Sequence, residues 1–302
     1  MALQLRRPAG QPVIYGHRGA RGVLPENTME GFDHLREIGA DGVEMDVQNA
    51  AGRVPVVIHD PLMPMQLARD ADGRFLPAPG PRVVDLTVAA LQAYDVGRLN
   101  PASPYAARYP DQRPLDGARI PTLAQFLDWA GADPALVINI EIKSDIGPDH
   151  LSDPPEVLAA DVLALIERHG MAEQTLVSSF DWRVLDWLRH NAPTLARGHL
   201  TYEQPDAFTP GGPRPPWMDP ALLAGAGGSL PRLIAGLEAR AWCVYFRDLT
   251  PARLSEAQDL GLAVNVWTVN EPEDIARMID MGVDGVITDY PERALSLRAA
   301  RG

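Results

Sequence analysis

The stretch GVEMDVQNAAGRVPVVIHD, residues 42–60, holds two apolar runs with only a few residues between them. Both have strand character, and the intervening NAAGR has turn character. A parallel crossover needs a dozen or more residues, so these runs cannot be adjacent parallel strands. They read instead as a hairpin: the second strand of the chain extends past the rim of a sheet, turns near Ala51-Gly52 and comes back. The returning arm brings His59 to the rim from which the chain left.

Outside this hairpin, short apolar runs alternate with stretches of helical period, the pattern of a parallel βα sheet. Strands are expected at 12–16, 42–47, 137–142, 175–179, 197–201, 241–246, 262–267 and 284–288. In the first helix Thr28 stands at the cap position, Met29, Phe32, Leu35 and Ile38 recur at helical spacing, and Gly39 ends the pattern. Later helices are expected at 155–169, 182–191, 251–260 and 272–281. With the returning arm set aside, eight parallel strands remain, the number of a (βα)8 (TIM) barrel. At 302 residues the whole chain, 1–302, fits one such domain. Residues 61–120 break the repeat. They are rich in Pro, Gly, Asp and Arg, and they leave from the His59 rim, so an inserted subdomain over the active face is expected. A second irregular stretch, 203–220, follows the fifth strand and is expected at the same face.

The formal net charge of −13 argues against nucleic acid or anionic lipid as a partner. No run of about 18 apolar residues suggests a membrane span, and no apolar run follows Arg6 and Arg7 as a secretory leader would require. The single cysteine, Cys243 in AWCVYF, excludes a disulfide within the chain and reads as a small buried strand residue. A reduced, cytoplasmic setting is expected, with no stable membrane association; the oligomeric state is left open.

Residues two apart on a strand share a face. Glu44 and Asp46 therefore point the same way, as do Asn139, Glu141 and Lys143, and each set sits at the C-terminal end of its strand. In a barrel these ends converge on the catalytic face, where His17, Arg18 and His59 also arrive. Three carboxylates packed together would repel one another, and a hard divalent cation with oxygen ligands resolves the conflict. Two histidines suit proton transfer near neutrality. Arg18 and Lys143 supply fixed positive charge suited to phosphate. Metal, cations and an acid/base pair together point to phosphodiester cleavage. Taken singly, Glu44-x-Asp46 and Glu141-x-Lys143 are no more than surface carboxylates and an ion pair; their common rim makes them a site. Glu26 and Asn27, in LPENT, sit over the same rim as possible neighbours of His17, Arg18 or the metal. Trp267 and Phe180 can wall the pocket or serve as core, and Glu203 is a weaker wall residue. Asp289 reads as the cap of the last helix, with Pro291 just inside it.

The ordered segments HRGARGVLPENT, GVEMDV, VVIHD, NIEIK, SSF, VNVWTVN and GVDGVITDYP strongly resemble the glycerophosphodiester phosphodiesterase family, over about residues 13–295. The resemblance implies a (βα)8 barrel, a magnesium or calcium ion, and hydrolysis of a small-molecule glycerophosphodiester to an alcohol and sn-glycerol 3-phosphate. It implies His17 and His59 as the acid/base pair, Glu44, Asp46 and Glu141 as metal ligands, and Arg18 and Lys143 as phosphate contacts. Two stretches depart from the family pattern: the hairpin turn QNAAGR, and PLMPMQLARDADG after His59-Asp60. Both border the insertion, so they bear on the choice of alcohol. A lysophospholipase D would use the same site with an apolar landing surface. A non-catalytic barrel that binds phosphorylated ligands would have no need of two histidines.

Overall fold

The computed structural model describes residues 3, 5–6, 8–145, 151–204 and 220–301. Among the described residues nine strands form one sheet: β1 (Val13–His17), β2 (Gly42–Ala50), β3 (Val54–Val57), β4 (Val137–Ile142), β5 (Thr175–Ser179), β6 (Ala196–Thr201), β7 (Ala241–Tyr245), β8 (Ala263–Trp267) and β9 (Gly285–Thr288). All but β3 pair in parallel, and the order β1-β9-β8-β7-β6-β5-β4-β2 is closed by pairing of β1 with β2. This is the expected (βα)8 barrel. β3 is the returning arm, antiparallel to β2 from Val47 opposite Val57 to Ala50 opposite Val54. The hairpin explains why β2 runs three residues beyond the expected 47, and why β3 stops at Val57 and leaves His59 on a loop. Gly52 and Arg53, both at positive φ (78° and 62°), make its turn.

The helices are α1 (Met29–Glu37), α2 (Val88–Leu91), α3 (Leu123–Ala130), α4 (Pro155–Arg168), α5 (Trp182–Asn191), α6 (Pro220–Gly225), α7 (Leu230–Gly236), α8 (Pro251–Asp259), α9 (Pro272–Met281) and α10 (Pro291–Ala299). Thr28 caps α1, its hydroxyl accepting from the Gly31 amide at 3.2 Å, and Gly39 ends the turn at φ +70°.

Strand alternation divides the core in two. Outward residues such as Ile14, Val43, Ile138, Val177, Val264 and Val286 pack under the helices with Phe32, Leu35 and Phe126. Inward residues Val13, Tyr15, Val137, Leu176, Cys243, Ala263 and Ile287 fill the barrel interior, joined by Leu5. Both faces of each strand are thus dry, which is why the strands read as near-continuous apolar runs. Each large side chain so buried contributes roughly 1.5–3 kcal/mol. Cys243 lies in the interior layer, and burial pushes its thiol up to about 12.

Residues 61–120 contain α2 and build an apolar cluster of their own. Met63, Ala68, Val83, Leu91 and Val96 pack on Ala50, Val56 and Ile58 of the hairpin. Of the stretch 203–220, residues 205–219 lie outside the described residues. Among the described residues no helix is long and apolar enough to cross a membrane.

Candidate active site

Strand register decides which side chains meet at the C-terminal rim. His17 is in register with Glu44, Glu44 with Asn139, and Asp46 with Glu141. Glu44, Asp46 and Glu141 are buried and offer oxygens that all lie within 4.8 Å of one another. Burial, followed by the charges of Asp46 and Glu141, pushes the Glu44 carboxyl well above the usual range. Burial opposes the charge on Asp46 as well, but Arg18, with His59 and Lys143, outweighs it and holds that carboxyl low. Three buried oxygen donors, one of them forced toward neutrality by burial and by its neighbours, fit a hard divalent cation.

The cations brace this cluster. Arg18 leaves β1 at φ +51°, a conformation unfavourable for a side chain, and so aims its amide at Glu44 Oε2, 3.0 Å away. Its guanidinium spans Glu26 (2.8 Å) and Asp46 (3.1 Å). Lys143 Nζ lies 2.7 Å from Glu141 and 3.5 Å from Asp46. Asn27, also at positive φ, donates to Asp46 at 3.0 Å.

Two imidazoles flank the carboxylates. His17 Nδ1 lies 2.7 Å from Asp289 Oδ1, while Nε2 is 3.7 Å from Glu44. Burial, with Arg21 adding to it, pulls the His17 imidazole down to about 4 against the opposing pull of Asp289. His59 Nδ1 lies 2.6 Å from Asp60, whose other oxygen accepts from Gln66 at 2.8 Å. Burial first, then Arg18 and Lys143, lowers the His59 imidazole too. Each ring thus has one nitrogen engaged by a carboxylate, which directs the other toward the cavity.

Asp289 requires a correction. It was expected to cap the last helix, but the cap position of α10 is Tyr290, with Pro291 inside it, and no side chain caps the helix. The Asp289 carboxylate instead receives Arg21 through two bonds of 2.8 and 3.1 Å, Asn270 at 2.7 Å, and His17. Its position at the end of β9 was the only sign in the sequence. Asn139 lines the cavity, as its place beside Glu141 and Lys143 on one strand face implied; Arg21, Gln66, Tyr105 and Arg108, which no strand pattern marks, line it too.

That cavity, of about 320 Å³, is lined by His17, Arg18, Glu26, Glu44, His59, Glu141, Lys143, Phe180 and Trp267 besides. Phe180 and Trp267 meet edge to face at 5.3 Å, and Trp267 donates to the Cys243 carbonyl at 3.0 Å. Glu203 lies elsewhere, paired with Arg253 at 2.7 Å.

Residues 17–293 match the model of the glycerophosphoryl diester phosphodiesterase family. A glycerophosphodiester phosphodiesterase of Caldanaerobacter subterraneus is 29% identical over 285 residues, covering 94% of this chain and 97% of that one. A Silicibacter pomeroyi crystal structure, provisionally named a glycerophosphoryl diester phosphodiesterase, is 39% identical. Its TM-score is 0.86, with 99% of this chain and 96% of that one covered. An Oleispira antarctica phosphodiesterase, solved with the product sn-glycerol-3-phosphate, has the same fold at 21% identity and TM-score 0.70. The match covers 95% of this chain and 96% of that one. A match over most of the chain, reaching from His17 past Asp289, shows that the chain belongs to the glycerophosphoryl diester phosphodiesterase family.

Proposed function

We propose that this protein hydrolyses glycerophosphodiesters to an alcohol and sn-glycerol 3-phosphate, with a magnesium or calcium ion held by Glu44, Asp46 and Glu141. The observation that carries the reading is the pair of carboxylate-held imidazoles, His17–Asp289 and His59–Asp60, in one cavity with the converging carboxylates. The product bound by the Oleispira antarctica relative agrees with this choice of substrate.

A divalent cation held by Glu44, Asp46 and Glu141 would supply Lewis-acid chemistry to the phosphate. Arg18 and Lys143 hold the phosphate and the charge that develops on it. His17 takes a proton from the nucleophile, which is water or the neighbouring glycerol hydroxyl; attack by the hydroxyl gives a transient cyclic phosphate that water then opens to sn-glycerol 3-phosphate. A new bond to phosphorus forms as the bond to the alcohol oxygen breaks, and His59 gives that oxygen its proton. Asn27 and Glu26 hold Asp46 and Arg18 in place. The Phe180–Trp267 corner takes the glycerol carbons. Residues 61–120 act as a subdomain over the active face, contributing Gln66, Tyr105 and Arg108 to the cavity.

The test is a panel of glycerophosphodiesters, with and without chelator, read by release of sn-glycerol 3-phosphate. His17→Ala and His59→Ala are each expected to lower kcat by about 10²–10⁴-fold with the circular dichroism unchanged. A near-normal rate in either variant, with metal present, would end the acid/base assignment.

A further inference from the structure

The cavity has two unlike walls. On one stands the apolar corner of Phe180 and Trp267; on the other the inserted segment presents Gln66, Tyr105 and Arg108. On the catalytic reading above, which this inference takes as its basis, the phosphate lies at the carboxylate cluster and the glycerol lies against the aromatic corner. The alcohol then falls on the inserted wall. His59 stands on that side, since the Asp60 that holds it is itself held by Gln66.

Of the cations that line the cavity, one stands apart from the carboxylates. Arg18 is paired with Glu26 and Asp46, Arg21 with Asp289, and Lys143 with Glu141 and Asp46. Arg108 lines the same cavity and has no ion pair among the described residues. It is exposed, yet it does not stand alone: its guanidinium carbon is 5.7 Å from the ring centres of both Tyr105 and Tyr109. Those rings meet edge to face at 5.2 Å. Tyr105 is fixed in turn, its hydroxyl accepting from Arg21 at 3.2 Å and donating to Glu26. The inserted segment thus holds a forked cation on an aromatic bracket at the mouth of a phosphodiester site. A guanidinium in that place attracts phosphate or carboxylate and repels a quaternary ammonium.

We propose that the inserted wall is a subsite for alcohols that carry a negative group of their own, with Arg108 as the specificity-determining residue. Bis(glycerophospho)glycerol, with a second phosphodiester, and glycerophosphoglycerol, without one, isolate that charge. The measurement is the ratio of their kcat/KM values, corrected for the two equivalent bonds of the former. In the wild type the ratio is expected at about 10 at low ionic strength, declining as salt screens the contact. Arg108→Gln should bring it close to 1, Arg108→Glu should take it below 1, and Arg108→Lys should keep most of the preference. A wild-type ratio of 1 or less, or an Arg108→Gln ratio equal to wild type while turnover continues, overturns the subsite and leaves the catalytic reading standing. If the wild type cleaves neither substrate with metal present, the catalytic reading falls and the subsite falls with it.

Discussion

His17 owes its behaviour to the groups that hold its two nitrogens. A surface histidine turns freely, whereas this ring is fixed at Nδ1 by a carboxylate that Arg21 and Asn270 immobilise in turn. Asp289→Asn keeps the shape of that contact but offers the ring an amide in place of a charge. On the mechanism proposed here, kcat should fall about 10²-fold or more while KM moves little, as steady-state kinetics on glycerophosphocholine would show. Rates close to wild type would mean that Asp289 only braces the end of β9. Backbone conformation at the rim carries the same message. Among the described residues four non-glycine residues adopt positive φ, and two of them, Arg18 and Asn27, touch the carboxylate cluster. Strain of roughly 1–2 kcal/mol per residue is placed where it aims a donor at a carboxylate.

Elements of secondary structure convert such local geometry into position. β1 must come close to α1 for His17 and Arg18 to reach the rim, and Gly16 allows it. A Cβ at Gly16 would stand 2.1 Å from the Gly19 carbonyl oxygen and 2.4 Å from Leu35. Gly16→Ala is therefore expected to cost about 2 kcal/mol or more, measured as a lower urea midpoint. A midpoint matching wild type would show that the turn after β1 yields without penalty. The β2–β3 hairpin has a double role. It returns the chain to the rim at His59, and its Val56 and Ile58 seed the apolar cluster of residues 61–120.

The barrel as a whole exerts a force on its own site. Pairing of β2 with β4 brings three carboxylates together in the dry interior of the closed barrel, and Glu44 responds by resisting ionisation. A raised carboxyl contributes stability that is fully present below its unfolded pKa and is lost as pH rises from there through the folded pKa. A cation relieves the crowding, so millimolar magnesium or calcium at pH 7.5 should raise Tm by about 5 °C, and chelator should reverse the gain. Glu44→Gln should abolish that response while leaving the metal-free Tm at or above wild type. An undiminished metal response in Glu44→Gln would remove Glu44 from the ligand set, whatever the activity.

The sequence by itself determined the barrel, its returning arm and the set of side chains that reach one rim. Those features rest on short-range rules: a period of two along strands, a crossover too short to be parallel, a hydroxyl at a helix start. Glu44, Asp46 and Glu141 could be read together because their strands are adjacent and in register. Only the tertiary structure decided what each charge is paired with. Asp289 serves His17 across 272 residues of chain, and Tyr105 reaches Glu26 across 79. Such partnerships depend on distance in space after the barrel closes and the inserted segment folds onto it, and periodicity carries no record of that.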